Sequence, residues 1–181
     1  VCIAKGLGAG YQPIGAMLCQ SEIYQAISEG SGFFQHGHTY LGHPVAAAAG
    51  CAVFKELDSK ELVSRVHDLG PRFESALREQ FLDHQMVGDI RGRGLFWAIE
   101  LVSNKETKEP FDPALRLAAN IKKAAFENGL ICYPMAGTRD GVNGDHVLLA
   151  PPFIIDDSQI EELIGKLASA IDVCTPQHTA A

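Results

Sequence analysis

The chain has 181 residues, a net charge of -7 and a sequence pI of about 5.4. An acidic chain without a basic cluster argues against nucleic acid as a partner, because nucleic-acid-binding proteins neutralise phosphates with clustered Lys and Arg. No apolar run is long enough to span a bilayer, so we expect no membrane partner either. The five cysteines are scattered and form no Cys-x-x-Cys pair, which favours buried thiols in a reducing, cytoplasmic compartment.

The first ten residues place one lysine at the end of an apolar run. Residues 1–4 are predicted to form a short buried strand, so Lys5 lies where strand gives way to turn, a position from which side chains often face a cleft. Partial burial there would leave a neutral amine that attacks a carbonyl to form a Schiff base. The alternative is a solvated lysine that ends a strand. The following glycines do not decide between the two, because Tyr11 replaces the last glycine of a G-x-G-x-x-G fingerprint.

A second strand, a short helix, a loop and a longer helix are predicted next. Residues 14–18 form the predicted strand, and Ser21 is the expected N-cap of the short helix, which ends at the glycines of residues 30–32. The loop spans residues 33–41. Pro44 is well placed as the first residue of the alanine-rich second helix, because its fixed φ and missing N–H suit that position.

Three histidines, His36, His38 and His43, lie in the segment of residues 33–43, which we name the histidine loop. Three imidazoles can bind zinc, and alternate residues of an extended chain share a face. No carboxylate or cysteine lies close to them in this segment. A metal site is therefore the minor alternative for these residues.

A long amphipathic helix and a pair of strands are predicted from residue 61 onward. Apolar residues keep a helical period to residue 81, and Gly70-Pro71 is expected to break or kink that helix. Strands over residues 86–90 and 94–101 are expected to pair across a turn or bulge at residues 91–94.

Another helix and another pair of strands follow. Asp112 and Pro113 are expected to cap and begin a helix that ends at Asn128-Gly129. Strands over residues 130–133 and 147–150 flank a segment rich in Gly, Asn and Asp. Such an excursion over the surface is a common place for a substrate loop.

The last helix completes the element order. It is predicted to begin at a cap formed by Asp156 or Asp157 and to be followed by an irregular tail at residues 175–181. The order helix, two strands, helix, two strands, helix predicts an α+β domain over residues 61–181, with the helices on one face of a sheet. Residues 1–60 are expected to be the end of a larger α/β domain.

Four blocks of the sequence carry a family resemblance. They are KGLGAGYQPIGA at residues 5–16, HGHTYLGHP at residues 36–44, RGRGL at residues 91–95 and APPFII at residues 150–155. In order and spacing they resemble the class III aminotransferases of the pyridoxal-phosphate fold-type I superfamily. The resemblance implies a fold class of α/β and α+β: the C-terminal end of the large cofactor-binding domain over residues 1–60, and the small C-terminal α+β domain over residues 61–181.

The resemblance also implies a C-terminal portion of a longer protein, since family members are much longer and Val1 lies inside an apolar strand without a starting methionine. In family members, the aspartate that pairs with the pyridine nitrogen, a phosphate-binding Gly-Ser turn and a ring-stacking aromatic all precede the lysine. We therefore expect the chain alone to be inactive or nearly so. A targeting segment ahead of Val1 stays open.

For the chemistry, the resemblance implies that Lys5 forms a Schiff base with pyridoxal 5'-phosphate (PLP) and later shuttles a proton at the substrate carbon. It implies that Thr39 reaches the cofactor phosphate from the neighbouring subunit of a homodimer; the alternative is a turn-forming threonine. The implied reaction moves an amino group from an amine or amino acid to a keto acid such as pyruvate.

Recognition of a substrate carboxylate is where the sequence departs from some members of the family. Members that act on α-amino acids, such as ornithine aminotransferase-like enzymes, carry an arginine where this sequence has Leu148. Other members carry a mobile arginine just before the Gly-Asp-His segment, and Arg139 lies two residues earlier than that pattern. We hypothesise that Arg139 swings in to bind a carboxylate and out to admit an apolar amine; the alternative is a solvated loop arginine. Arg91 and Arg93 are interpreted as mainly structural.

Two other functions are kept as alternatives. Another class III PLP enzyme, an aminomutase or a decarboxylase, would use the same lysine. A non-enzymatic metal-binding fragment would instead use His36, His38 and His43. Only a PLP enzyme gives a borohydride-trapped adduct on Lys5, which separates the two classes.

Overall fold

A computed structural model describes residues 1–176 of the chain. Most of the predicted irregular tail falls on residues 177–181, which lie outside the described residues. The chain divides into two compact units, and the boundary between them in the sequence lies between Leu62 and Val63. Each unit is described by itself below.

The first unit contains a two-stranded ribbon and two helices. Strands β1 (Cys2–Ile3) and β2 (Ala16–Met17) pair antiparallel, and the helices are α1 (Ser21–Glu29) and α2 (Pro44–Ser59). Both strands are shorter than predicted, and their residues are exposed rather than buried. The prediction of a buried strand is wrong for this unit because no further described strand pairs with the ribbon and covers it.

Local capping explains where the two helices begin. Pro44 is the first residue of α2, as predicted, and the His43 Nδ1 atom accepts a hydrogen bond from the Ala46 N–H at 3.3 Å. Ser21 begins α1 but does not cap it: Gln20 is the N-cap residue and makes no side-chain bond to the helix. The prediction that Ser21 caps α1 is therefore wrong by one position.

The second unit is built on a four-stranded antiparallel sheet of order β3-β4-β6-β5. Its strands are β3 (Val87–Arg93), β4 (Phe96–Leu101), β5 (Tyr133–Ala136) and β6 (Asp145–Leu149). Its helices are α3 (Leu62–Phe81), which starts at the last residue of the first unit, α4 (Leu117–Glu127) and α5 (Asp157–Val173). The helices and one face of the sheet share a core, as expected for the predicted α+β arrangement.

The core of the second unit is made of alternate strand residues and the apolar stripes of the helices. Its fully buried side chains include Phe73 and Leu77 of α3, Ile99 of β4, Ile121 of α4 and Leu167 of α5. Burying one such side chain stabilises a fold by about 1.5–3 kcal/mol. The opposite face of the sheet carries half-buried or exposed residues.

Helix α3 passes through Pro71 without interruption, so the predicted break is wrong. Gly70 has a packing role in this helix. A Cβ atom at position 70 would lie 2.9 Å from the Gly94 Cα in the β3–β4 turn. The helix needs glycine there to approach the turn, and Pro71 removes only one backbone hydrogen-bond donor from an otherwise complete helix.

Two further predictions were displaced by a few residues. The predicted turn at residues 91–94 is shorter, because Arg91 to Arg93 belong to β3 and the chain reverses at Gly94, whose φ is +59°. The Asp112 cap is present, but it caps a 3-10 turn over Pro113–Leu115. Arg116, at φ +51°, separates that turn from α4.

No helix within residues 1–176 is long and apolar enough to cross a membrane. The cysteine prediction is wrong in part. Cys132 and Cys174 are partly buried against the core, but three thiols of the first unit are exposed: Cys2, Cys19 and Cys51. The first unit contributes few of the buried apolar side chains, which leaves these thiols uncovered.

Candidate active site

Lys5 directly follows β1 and opens a 3-10 turn over Lys5–Gly8. Its φ is +55°, in the left-handed region that residues with a Cβ seldom adopt. The side chain is exposed, and its amine has no hydrogen-bond or ion-pair partner among the described residues. The expected partial burial is not found in this unit, because the open ribbon leaves the lysine uncovered. What remains is a free primary amine held at a strained backbone position.

The glycine turn, residues 5–11, is fixed to the rest of the first unit through Ile14. A Cβ atom at Gly8 would lie 2.8 Å from the Ile14 Cγ2, and one at Gly50 of α2 would lie 3.3 Å from the Ile14 Cδ1. Within the turn, the Tyr11 N–H donates to the Gly8 carbonyl at 2.9 Å. Gly8 and Gly50 thus allow Ile14 to pack closely between the turn and α2, which sets the position from which Lys5 projects.

A groove of about 550 Å³ lies between the segment after the glycine turn and the histidine loop. Its lining includes Ile14, Gly15, His38, Tyr40, Leu41 and His43. Thr39 stands between two lining residues, in a turn closed by a hydrogen bond from the Leu41 N–H to the His38 carbonyl at 2.9 Å. Its side chain is exposed and its hydroxyl has no partner among the described residues, so it is available to a ligand.

The three histidines of the histidine loop do not form a metal site. His43 uses Nδ1 to cap α2, and the rings of His36 and His38 meet edge to face with centroids 5.1 Å apart. The part of the chain that the structure describes contains no group of three His, Cys, Asp or Glu side chains that could hold a metal ion. The metal-binding alternative therefore lacks the geometry that it requires.

Arg139 lies in the second unit, in the loop of residues 137–144 that joins β5 to β6, which we name the arginine loop. The loop is closed by backbone hydrogen bonds from Thr138 N–H to the Gly144 carbonyl at 3.2 Å and from Arg139 N–H to the Asn143 carbonyl at 2.9 Å. The Arg139 side chain is exposed, and its guanidinium has no partner among the described residues. A free guanidinium thus stands on a backbone that is itself well bonded.

Asp140 organises the tip of the arginine loop. One carboxylate oxygen accepts the backbone N–H groups of Val142 and Asn143 at 2.9 and 2.7 Å, and the other accepts the Asn143 side-chain amide at 2.7 Å. These hydrogen bonds, first those from Asn143, lower the pKa of Asp140 to about 2. No role was predicted for Asp140, although Asp followed directly by Gly is a turn pattern that would have indicated one.

Leu148 projects from β6 on the face of the sheet opposite the core. It is half-buried and stands in register with Ala98 of β4 and Tyr133 of β5. An apolar row therefore occupies the place where some members of the resembled family have a fixed arginine. Two further residues were not predicted from the sequence: His146 on this face and Thr138 in the arginine loop, whose Nδ1 and Oγ1 atoms lie 2.5 Å apart.

Comparison with protein families gives a match to the aminotransferase class-III model over residues 1–171. The chain belongs to the class III aminotransferase family. An aminotransferase of Gibberella zeae is 41% identical over 93% of this chain, and the putrescine–pyruvate aminotransferase of Pseudomonas aeruginosa is 36% identical over 94% of it. The alignments cover 33% and 35% of those two relatives, so the chain spans about a third of their length.

Solved structures of class III relatives agree in fold. The Vibrio fluvialis aminotransferase superimposes with TM-scores of 0.84 in its PMP-bound form and 0.85 as a PLP-bound mutant, at 33% and 34% identity. Each alignment covers 96% of this chain and 37% of that one. The PLP fold-type I prediction is thereby confirmed, and both units of the chain belong to that fold.

Proposed function

We propose that this chain supplies the catalytic lysine of a PLP-dependent aminotransferase, and that the lysine is Lys5. One observation carries the proposal: in a chain of this family, an unpaired primary amine stands at the end of a strand on a glycine turn that is packed tightly against α2. Covalent attachment of an aldehyde requires a free amine on a backbone segment that is held in place.

The donor groups of the first unit fit PLP. The Lys5 Nζ atom would hold the cofactor covalently, and the Thr39 hydroxyl and its turn would donate hydrogen bonds to the phosphate. PLP, when bound, supplies the electron sink that stabilises the charge left on the substrate carbon. Lys5 Nζ, once released from the cofactor, would take and return the proton at that carbon, because one amine then serves both attachment and acid-base work.

Thr39 is proposed to serve the cofactor of a neighbouring subunit, which makes the protein a homodimer. Two neighbours of Thr39 support this: Tyr40 is 79% exposed and Leu41 is 76% exposed. Large apolar side chains this exposed, side by side on one loop, are typical of a surface that another protein covers.

The proposed substrates are an amine or ω-amino acid as donor and a keto acid as acceptor. The name of the Pseudomonas aeruginosa relative pairs a diamine without a carboxylate with a keto acid that has one, so a related site here would have to accept both. A free arginine on the arginine loop and the apolar Leu148 suit that task. Arg139 would bind the carboxylate of the acceptor and turn away from a donor that has no carboxylate.

A reducing, cytoplasmic location is proposed as well. It is supported by the cysteines, because all five are free thiols and three are exposed.

Borohydride reduction in the presence of PLP tests the central proposal. The complete enzyme is reduced, digested and mapped by mass spectrometry, with Lys5→Arg as the matched control that keeps a positive charge. We expect a reduced cofactor on the peptide that contains Lys5 and none in the variant. A label on another lysine, with none on Lys5, would overturn the assignment.

A further inference from the structure

A side-chain contact joins the arginine loop to the sheet. The Thr138 Oγ1 and His146 Nδ1 atoms lie 2.5 Å apart. Thr138 immediately precedes Arg139, and His146 lies on β6 opposite Met135 of β5. The contact therefore bridges the two strands just where both run into the loop.

The direction of this hydrogen bond follows from a count of protons. The Thr138 hydroxyl also lies 3.4 Å from the Gly144 carbonyl oxygen, which can only accept. The hydroxyl has one proton, so both contacts are satisfied only if the ring N–H at Nδ1 of His146 donates to Thr138 and Thr138 donates to Gly144. The result is a chain of two hydrogen bonds, from His146 of β6 to Thr138 and from Thr138 to Gly144, which we name the relay.

The His146 ring is itself supported by the sheet. Glu100 of β4 stands opposite His146 in register, and its carboxylate is held by Arg91 of β3 at 2.5 Å. Arg91 also bonds Asp89 at 2.7 Å. His146 is half-buried, so the relay begins at a side chain that the protein partly encloses.

The relay ends next to Arg139. Thr138 is the residue on its N-terminal side, and a Cβ atom at Gly144 would lie only 3.2 Å from the Arg139 backbone nitrogen. The base of the loop is thus closed tightly around the backbone of Arg139, while the guanidinium stays free.

We propose that His146 is a positioning residue for Arg139: by bonding Thr138 it fixes the base of the arginine loop, so that only the Arg139 side chain moves when a carboxylate binds. The inference rests on the proposed role of Arg139. A binding group on a fixed backbone loses less entropy on binding than one on a loop that must first be ordered. Loss of the relay should weaken carboxylate binding and leave the binding of carboxylate-free amines unchanged.

Steady-state kinetics of the complete, PLP-loaded enzyme test the inference. The variants are His146→Phe, which removes the ring donor, and Thr138→Val, which removes the hydroxyl from an exposed residue. The net value of one hydrogen bond corresponds to about a two- to tenfold change in an equilibrium constant, and we expect a rise of that order in the KM for pyruvate. Thr138→Ser, which keeps the hydroxyl, restores the KM. The KM for a carboxylate-free amine such as 1-phenylethylamine stays constant in every variant.

A double-variant comparison separates positioning from a merely structural role. If His146 acts through Thr138, the double variant raises the KM for pyruvate no further than the larger single effect. Equal rises in the KM for pyruvate and for the amine, or a lower unfolding temperature with unchanged KM values, would overturn the inference.

Arg139→Ala separates failure of the inference from failure of the proposed function. If this variant leaves the KM for pyruvate unchanged, the carboxylate role of Arg139 is wrong and the inference falls with it. If Arg139→Ala raises that KM but His146→Phe and Thr138→Val do not, Arg139 binds the carboxylate and His146 does not position it. In an Arg139→Ala background, we expect His146→Phe to add nothing.

Discussion

Lys5 combines a left-handed backbone with an exposed amine. For a residue with a Cβ, that conformation costs about 1–2 kcal/mol. Nothing in the local packing requires a lysine side chain there, since its amine bonds no other described residue. Strain at a position without a packing role is the pattern expected when a residue is kept for chemistry.

A stability comparison of two inactive variants measures that strain. Lys5→Gly relieves it, but glycine also loses about 0.5–1 kcal/mol more on folding than alanine because its unfolded chain is freer. We expect the free energy of unfolding of Lys5→Gly to exceed that of Lys5→Ala by about 0.5–1 kcal/mol in urea denaturation. If the alanine variant is the more stable one, the lysine position is not strained.

Asp145 is a buried residue that bonds the N-terminus of α4. It is 5% exposed, and its carboxylate accepts the Ala118 N–H at 3.1 Å, near the N-terminus of α4. Arg116 begins that helix and offers no side-chain cap. Asp145 therefore caps α4 from a strand that is distant in sequence. Asp145→Ala should lower the free energy of unfolding by about 2 kcal/mol. Asp145→Asn keeps an acceptor and should lower it by less.

The pH dependence of the Asp145 cap has a definite sign. Burial raises the pKa of Asp145, so the folded protein binds this proton more tightly than the unfolded chain does. Binding of this proton therefore stabilises the folded protein. The stabilisation is fully present below the ordinary aspartate pKa of about 3.9, and it is lost as the pH rises through the raised pKa of the folded protein. In urea denaturation, the free energy of unfolding of wild type minus that of Asp145→Asn should fall as the pH rises across that interval. A constant difference would mean that the pKa is not raised.

At the scale of elements, two glycines in helices have opposite roles. Gly70 of α3 lies against the Gly94 backbone, and an added Cβ would approach its Cα to 2.9 Å. Gly165 of α5 is exposed, and an added Cβ would meet nothing within 4 Å. The two positions are a matched pair, because both are helical and neither has a positive φ.

Alanine at each position should therefore change stability in opposite directions. Gly70→Ala forces α3 away from the β3–β4 turn and is expected to cost about 1–3 kcal/mol, the usual range for overpacking. Gly165→Ala removes a poor helix former and is expected to gain up to about 1 kcal/mol. Thermal unfolding of the two variants beside wild type decides the matter, and two shifts of the same sign would contradict the close approach of α3 to the turn.

The sequence predicted the elements whose signals are local and missed those set by distant pairing. Pro44 at the start of α2 and the Asp156 cap of α5, one of the two aspartates predicted for it, follow from neighbouring residues alone. Strand β5 was expected at residues 130–133 but begins at Tyr133, because its position depends on pairing with Leu148 of β6. The contact between His146 and Thr138 depends on the same register, so the candidate site could be predicted by residue type but not in its supporting bonds.

At the scale of the whole molecule, the proposed homodimer would share its active site between subunits. Lys5 and Thr39 were predicted from motifs of the family, and both lie in the first unit, on segments with free functional groups. Arg139 lies in the second unit. If Thr39 serves the partner's cofactor, each active site of the homodimer contains Lys5 of one subunit and Thr39 of the other.

Subunit complementation measures that consequence. Lys5→Ala and Thr39→Ala homodimers should each have little activity at limiting PLP. After random exchange of subunits, a mixed dimer carries both lesions in one site and none in the other, so roughly a quarter of the wild-type activity should return. If Thr39 serves the cofactor of its own subunit, mixing restores nothing, because each site of the mixed dimer then retains one lesion.

The tip of the arginine loop gives the protein an unexpected form of acid tolerance. Because the pKa of Asp140 is about 2, the turn that it holds keeps its charge and its hydrogen bonds far below the pH at which most carboxylates are neutralised. Acidification will therefore neutralise other carboxylates of the protein long before it disturbs the turn that presents Arg139. An acid limit on turnover should accordingly be set elsewhere in the protein than by collapse of this loop.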